Sequence, residues 1–309
     1  MTKSLSTPIL FLIFNRPDTT QLVFDEIRKA QPVQLFVAAD GPRKDRLGDY
    51  DLCKKTREII QQVDWDCKVS TLFRDENLGC KYAISSAIDW FFSNVEEGII
   101  LEDDCVPDQS FFPFCQELLE KYRDDKRVMM ISGDNFQFGR KTTDYSYYFS
   151  RYCHIWGWAT WKRAWVNYDV KMKLWPKVKQ LGLINDILQD SGAEKYWKRI
   201  FDKTYSNKIN TWDYQWVFTC WMQNGLSIAP NINLISNIGC DCSATHPSAD
   251  SGNSNIPTNK IDIPLRHPEF IIRNTSADKY TQKYVIEKPY GLLGISIKDI
   301  LRHMKERFF

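Results

Sequence analysis

Three consecutive carboxylates, Glu102-Asp103-Asp104, follow the apolar run Gly98-Ile-Ile-Leu101 and precede Cys105-Val106-Pro107. Like charges this close repel one another unless a cation joins them. Oxygen ligands where a buried strand meets a loop suit Mg²⁺ or Mn²⁺, which need only one or two protein carboxylates when a diphosphate supplies further oxygens. A solvated acidic turn is the plainer reading of such a triplet; its place at the end of an apolar run favours a cation. Polar residues close other apolar runs in the same way: Asn15-Arg16-Pro17, Ala39-Asp40-Gly41 and Arg74-Asp75-Glu76-Asn77.

The elements that must position these groups alternate along the first 135 residues. Short apolar runs at Ile9–Phe14, Val33–Ala39, Lys68–Phe73, Gly98–Leu101 and Val128–Ser132 read as strands. Between them, helical periods cover Asp18–Ala30, Leu52–Val63, Lys81–Phe92 and Ser110–Tyr122. Nearly all-apolar strands alternating with helices predict an α/β fold with a mostly parallel sheet covered on both faces, which binds ligands at the carboxyl ends of its strands. From Tyr145 to Trp221 the composition turns aromatic, with tryptophans at 156, 158, 161, 165, 175, 197, 212, 216 and 221, and this stretch reads as mainly helical. Leu226–Ala229 and Ile232–Ile235 read as short strands, His246 to Lys260 as a polar loop, and Ile295–Phe309 as an amphipathic basic helix.

Composition narrows the function classes. Of 309 residues, 41 Lys and Arg stand against 39 Asp and Glu, so a net charge of +2 offers no global field for nucleic acid or membrane. The most apolar early run, Pro8 to Phe14, is far short of the roughly 20 residues that span a bilayer and lacks a cleavage site after it, which predicts a cytoplasmic protein. The nine cysteines are odd in number and contain no CxxC pair, so a disulfide framework or zinc knuckle is not expected.

The order of these motifs resembles the GT-A glycosyltransferases that use nucleotide-sugar donors, and the carboxylate trio looks like their DxD metal signature. Bacterial sugar transferases related in pattern to N-acetylglucosaminyltransferase I are the most similar. The resemblance runs from Pro8 to His246 through Pro8-Ile-Leu-Phe-Leu-Ile-Phe-Asn-Arg-Pro17, Asn77-Leu-Gly-Cys-Lys81, Ile99-Ile-Leu-Glu-Asp-Asp-Cys105, Trp156-Gly-Trp-Ala-Thr-Trp161, Trp212-Asp-Tyr-Gln-Trp216 and Ala244-Thr-His246.

The resemblance implies a GT-A, Rossmann-like fold. Residues 1–135 would form the nucleotide-sugar-binding half, 136–246 the acceptor-binding and catalytic half, and 247–309 a flexible loop and amphipathic tail. It places Asn15, Arg16 and Asp40 around the nucleoside, and Arg74, Asn77, Gly79 and Lys81 near the base and diphosphate. Asp104 and His246 would hold Mn²⁺ or Mg²⁺, with Glu102 and Asp103 in support. Asp213, at the start of the helix-like Tyr214–Gln223, would be the general base of an inverting transfer, with Asp241 second; its plainer role is an N-cap. Trp156, Gly157 and Trp158 would meet the acceptor sugar, although most of so many aromatic residues must be core.

The partners implied are a nucleotide-sugar donor, expected to be UDP-linked, and a glycan or lipid-linked glycan acceptor of surface polysaccharide biosynthesis, with no nucleic acid. The tail helix either docks on the core or brings the protein to the inner face of the plasma membrane. Two other functions are weighed: a sugar-1-phosphate nucleotidyltransferase, whose Gly-rich loop is missing after Leu12-Ile-Phe14, and a non-catalytic carbohydrate-binding protein built on the aromatic half.

Overall fold

The computed structural model describes residues 5–239 and 254–287. His246, Asp241 and the predicted tail helix at 295–309 lie outside the described residues. The first half alternates as the sequence predicts: β1 (Ile9–Ile13), α1 (Pro17–Ala30), β2 (Gln34–Ala39), α2 (Asp49–Glu58), β3 (Lys68–Phe73), α3 (Gly79–Asn94), β4 (Glu97–Glu102), the short β5 (Cys105–Pro107), α4 (Phe111–Lys121) and β6 (Val128–Ser132).

The aromatic stretch is mainly helical, as the sequence predicts, apart from its start. Its start makes two strands, β7 (Tyr147–Ser150) and β8 (Trp158–Trp161), before the helices α5 (Lys162–Trp165), α6 (Trp175–Leu181), α7 (Leu183–Leu188), α8 (Ser191–Tyr205) and α9 (Asp213–Met222). Every residue of β7 and β8 is buried, so neither strand shows the alternation that marks a half-exposed strand. Then come β9 (Leu226–Pro230), β10 (Ile235–Asn237) and α10 (Thr275–Thr281).

Eight strands form one sheet in the order β3-β2-β1-β4-β8-β6-β9-β7. β1 pairs parallel with β2 and β4, β2 with β3, and β6 with β9; β8 runs antiparallel between β4 and β6, and β7 runs antiparallel on the far edge. This is a Rossmann-like, mostly parallel sheet flanked by helices, with the aromatic helices as its outer layer. Alternate residues of β1 serve opposite faces. Ile9, Phe11 and Ile13 pack with Val23, Phe24 and Ile27 of α1 and with α4. Leu10 and Leu12 pack with Ile88 and Phe91 of α3 and with Trp158, Trp165, Trp212 and Trp216.

A third cluster joins α6, α7, α8 and α9 around Trp175, Trp197 and Phe201. The segment before residue 288 is also tied down. Ser150 donates to Asp278 at 2.6 Å, and Tyr152 and Trp197 both donate to Gln282 Oε1, at 2.7 and 2.9 Å. Within the expected loop-and-tail region after residue 247, Asp278 and Gln282 are thus held by β7, by the residues after it and by α8. Among the described residues no helix is long and apolar enough to cross a membrane.

Candidate active site

The carboxyl ends of β1, β2 and β4 open onto a cavity of about 350 Å³, closed on the other side by Trp156 and by Thr211, Trp212 and Asp213 at the start of α9. It contains Arg16, Asp40, Arg74, Asn77, Gly79, Glu102, Asp103, Asp104, Trp156 and Asp213 from the predicted set. Residues as distant in sequence as Leu12 and Gly239 meet because parallel strands end side by side.

Asp103 is the deepest of the three carboxylates. It accepts from the Phe14 backbone N–H at 3.2 Å and from the guanidinium of Arg16, whose Nη2 also lies 3.0 Å from Asp104 Oδ2. Burial opposes the charge on Arg16, but the two aspartates hold it protonated. Burial, reinforced by Asp104 and Asp103, pushes the Glu102 carboxyl well above the usual carboxylate range. Asp104 is fixed by its own backbone, since its carbonyl accepts from Ile238 N–H at 2.9 Å. Gly239 follows directly, and a Cβ there would overlap the Asp104 carboxylate and crowd Arg16 Nη1. That space is a cradle kept open by the missing side chain. Beside it lie the Asp104 carboxylate and the Arg16 guanidinium; the hard oxygens of Asp104 and Glu102 at the same cavity are of the type Mg²⁺ and Mn²⁺ take, although among the described residues no group of three or more metal-ligating side chains is set around one point.

Other predicted residues hold the walls. Asp40 does not present free acceptors to a nucleoside: its carboxylate accepts from the backbone N–H groups of Gly41, Leu78 and Gly79 at 2.9 to 3.1 Å. It thereby caps α3, where a helix N-terminus favours an anion. Asn77 Nδ2 donates to the Gly41 carbonyl at 2.8 Å, and Arg74 Nη2 donates to Ser86 Oγ at 2.8 Å. Gly79 has a φ of +73°, a backbone conformation that glycine adopts without strain.

Four predicted site residues do not line the cavity. Lys81 is buried and donates to Asn207 Oδ1 at 2.9 Å, because α3 turns that face towards the loop before α9. Asn15 donates to Asp49 at 2.5 Å, drawn there by the same carboxylate that binds Arg43. Trp158 is fully buried in β8 and stacks on Trp212 with ring centroids 5.6 Å apart. Gly157, with a φ of +62°, faces Ile235, and its carbonyl accepts from Gly133 N–H at 2.8 Å. It shapes the turn and leaves only Trp156 of the three at the cavity.

Asp213 stands at the first position of α9 and accepts from Thr211 Oγ1. Its charge is felt by Glu102 across the cavity.

Residues absent from the sequence expectation complete the frame. Arg43 lines the cavity and forks onto Asp49, and Arg57 Nη2 donates to the carbonyls of Asp40 and Arg74, tying the ends of β2 and β3. Asp134, buried after β6, accepts from the Trp156 backbone N–H at 3.0 Å. The Ser-Gly-Asp-Asn run after β6 was the available signal, being another polar strand end. His154 packs edge-on to Phe136 at 4.7 Å, as its aromatic setting suggests.

No family model and no curated protein matches the chain. Solved structures similar to it include a UDP-glucose pyrophosphorylase complexed with UDP-glucose, at TM-score 0.36 and 12% identity over 73% of this chain and 90% of that one. Another is 4-diphosphocytidyl-2C-methyl-D-erythritol synthase from Anaerococcus prevotii, at TM-score 0.36 and 10% identity over 72% and 88%. HddC from Yersinia pseudotuberculosis has TM-score 0.31 and 11% identity over 51% and 77%. Likeness this distant assigns no ligand or reaction to this chain.

Proposed function

We propose that the cavity binds a nucleoside-diphosphate sugar together with a divalent cation, and that it transfers the glycosyl group, with inversion, to an acceptor hydroxyl. The observation that carries this reading is the convergence of the β4 carboxylates and Asp213 on one cavity from opposite walls. Asp104 and Glu102 would hold the cation, whose chemistry is to neutralise charge on the departing diphosphate. Asp213 takes the proton from the acceptor hydroxyl as its oxygen bonds to the sugar anomeric carbon and the bond to the diphosphate breaks. Trp156 offers an aromatic face to the acceptor, whether a glycan or a lipid-linked glycan. The finer likeness to N-acetylglucosaminyltransferase I rests on the sequence motifs.

Sugar-1-phosphate nucleotidyl transfer is the second reading. It is the kind of reaction that the name of the pyrophosphorylase above denotes, and the cavity arginines Arg16, Arg43 and Arg74 suit a nucleoside triphosphate. The turn after β1 favours glycosyl transfer, because Phe14-Asn15-Arg16-Pro17 enters α1 with no glycine to wrap phosphates. The carbohydrate-binding reading loses its basis, since Trp158, Trp161, Trp175, Trp212 and Trp216 are at most 1% exposed.

Product analysis decides between the two. Incubation with UDP-sugars and Mn²⁺ should release UDP; pyrophosphate released from UTP and a sugar-1-phosphate would instead establish nucleotidyl transfer.

A further inference from the structure

One guanidinium stands where the carboxylates would receive a metal. Arg16 Nη2 bridges Asp103 and Asp104 Oδ2, the latter at 3.0 Å. The two contacts differ in how firmly they are built. The Asp103 side chain is 5% exposed and has a second donor in Phe14 N–H, whereas the side chains of Asp104 and Arg16 are 14% and 27% exposed. The outer contact is the one that can open.

We propose that Arg16 is an exchangeable counter-cation that competes with a divalent metal ion for Asp104. The inference rests on the metal-binding reading given above. An oxygen that accepts from a guanidinium cannot also sit at the roughly 2.1 Å that Mg²⁺ or Mn²⁺ demands without bringing two cations into contact. The cradle under Gly239 borders both partners, Asp104 Oδ2 and Arg16 Nη1, so an ion that reaches Asp104 there also meets the arginine. Two aspartates against one guanidinium leave the pair site net negative, which favours an incoming cation. When the ion takes Asp104, Arg16 keeps Asp103 and frees a donor for an incoming phosphate, whose oxygens suit arginine. Metal and nucleotide should then bind synergistically, and metal alone should bind weakly.

The test is direct titration of Mn²⁺, followed by the paramagnetic signal of the free ion, on the full chain and on Arg16→Ala, each with and without UDP. Arg16→Ala should bind Mn²⁺ alone about tenfold or more tighter than the wild type, as loss of a charge-assisted competitor requires. Arg16→Lys, which keeps the charge but not the fork, should fall between them and serves if Arg16→Ala does not fold. Equal or weaker Mn²⁺ binding by the variants overturns the exchange. Tighter binding by the variants with no effect of UDP on any protein upholds the exchange and rejects the nucleotide reading. No Mn²⁺ binding by any of them overturns both.

Discussion

The carboxylate of Asp40 at the end of β2 holds the backbone N–H groups of Leu78 and Gly79, joining the second strand end to the start of α3 as one rigid wall of the cavity. Asp40→Ala should therefore cost about 1 to 2 kcal/mol of stability, as loss of a helix cap does, measured by urea unfolding. UDP affinity should fall with it. Unchanged stability with lost affinity would show instead that Asp40 contacts the nucleoside itself.

Asp213→Asn keeps the size of the side chain and its hydrogen bonding at the start of α9 but not its basicity. Donor binding should survive by calorimetry, while transfer falls by roughly 10² or more. Near-normal transfer would leave Asp213 only its bond from Thr211 at the start of α9.

Gly239→Ala puts a methyl group into the cradle beside Asp104 and Arg16. Displacement of a ligand by even 1 Å can cost up to about 10²-fold. Mn²⁺-dependent UDP affinity should drop by about tenfold or more, with the fold intact by circular dichroism. An unaltered affinity would place the cation elsewhere.

Trp156 and Trp158 should separate cleanly although two residues apart. Trp158→Ala empties the core between Trp165, Trp212 and Trp216 and should cost about 3 to 5 kcal/mol. Trp156→Ala removes a partly buried ring packed on Phe136, so it should cost less stability than Trp158→Ala and should raise KM for the acceptor, read from initial rates.

Burial pushes the His154 imidazole down to about 4. The unfolded chain binds this proton near pH 6.5 and the folded one only near 4, so stability rises with pH across that window and is lost as pH falls through it. His154→Phe should flatten this part of the stability profile. Parallel profiles for the two proteins from pH 7 to 4 would show that His154 titrates normally.

Much of this arrangement was legible in the chain itself. Apolar runs ending in polar turns are local patterns, and they located β1, β2 and β4 and the carboxylates at their tips, because a buried strand must surface where it ends. Position in sequence could not tell which side chains reach the cavity. Lys81 turns to Asn207, 126 residues away, and Asn15 turns to Asp49, because each polar group goes to the partner that folding brings within reach. The same holds for Asp40, whose acceptors are taken by amides 38 and 39 residues on. Strands β7 and β8 were hidden by their own burial, since a strand covered on both faces has no alternation to show. The strand–helix alternation and the acidic strand end could be read from the chain, because they depend on neighbours along it. That Arg16 meets Asp104, that Gly239 lies against both and that Asp213 shares a cavity with Glu102 came from the fold, because these meetings depend on the order in which strands and helices pack.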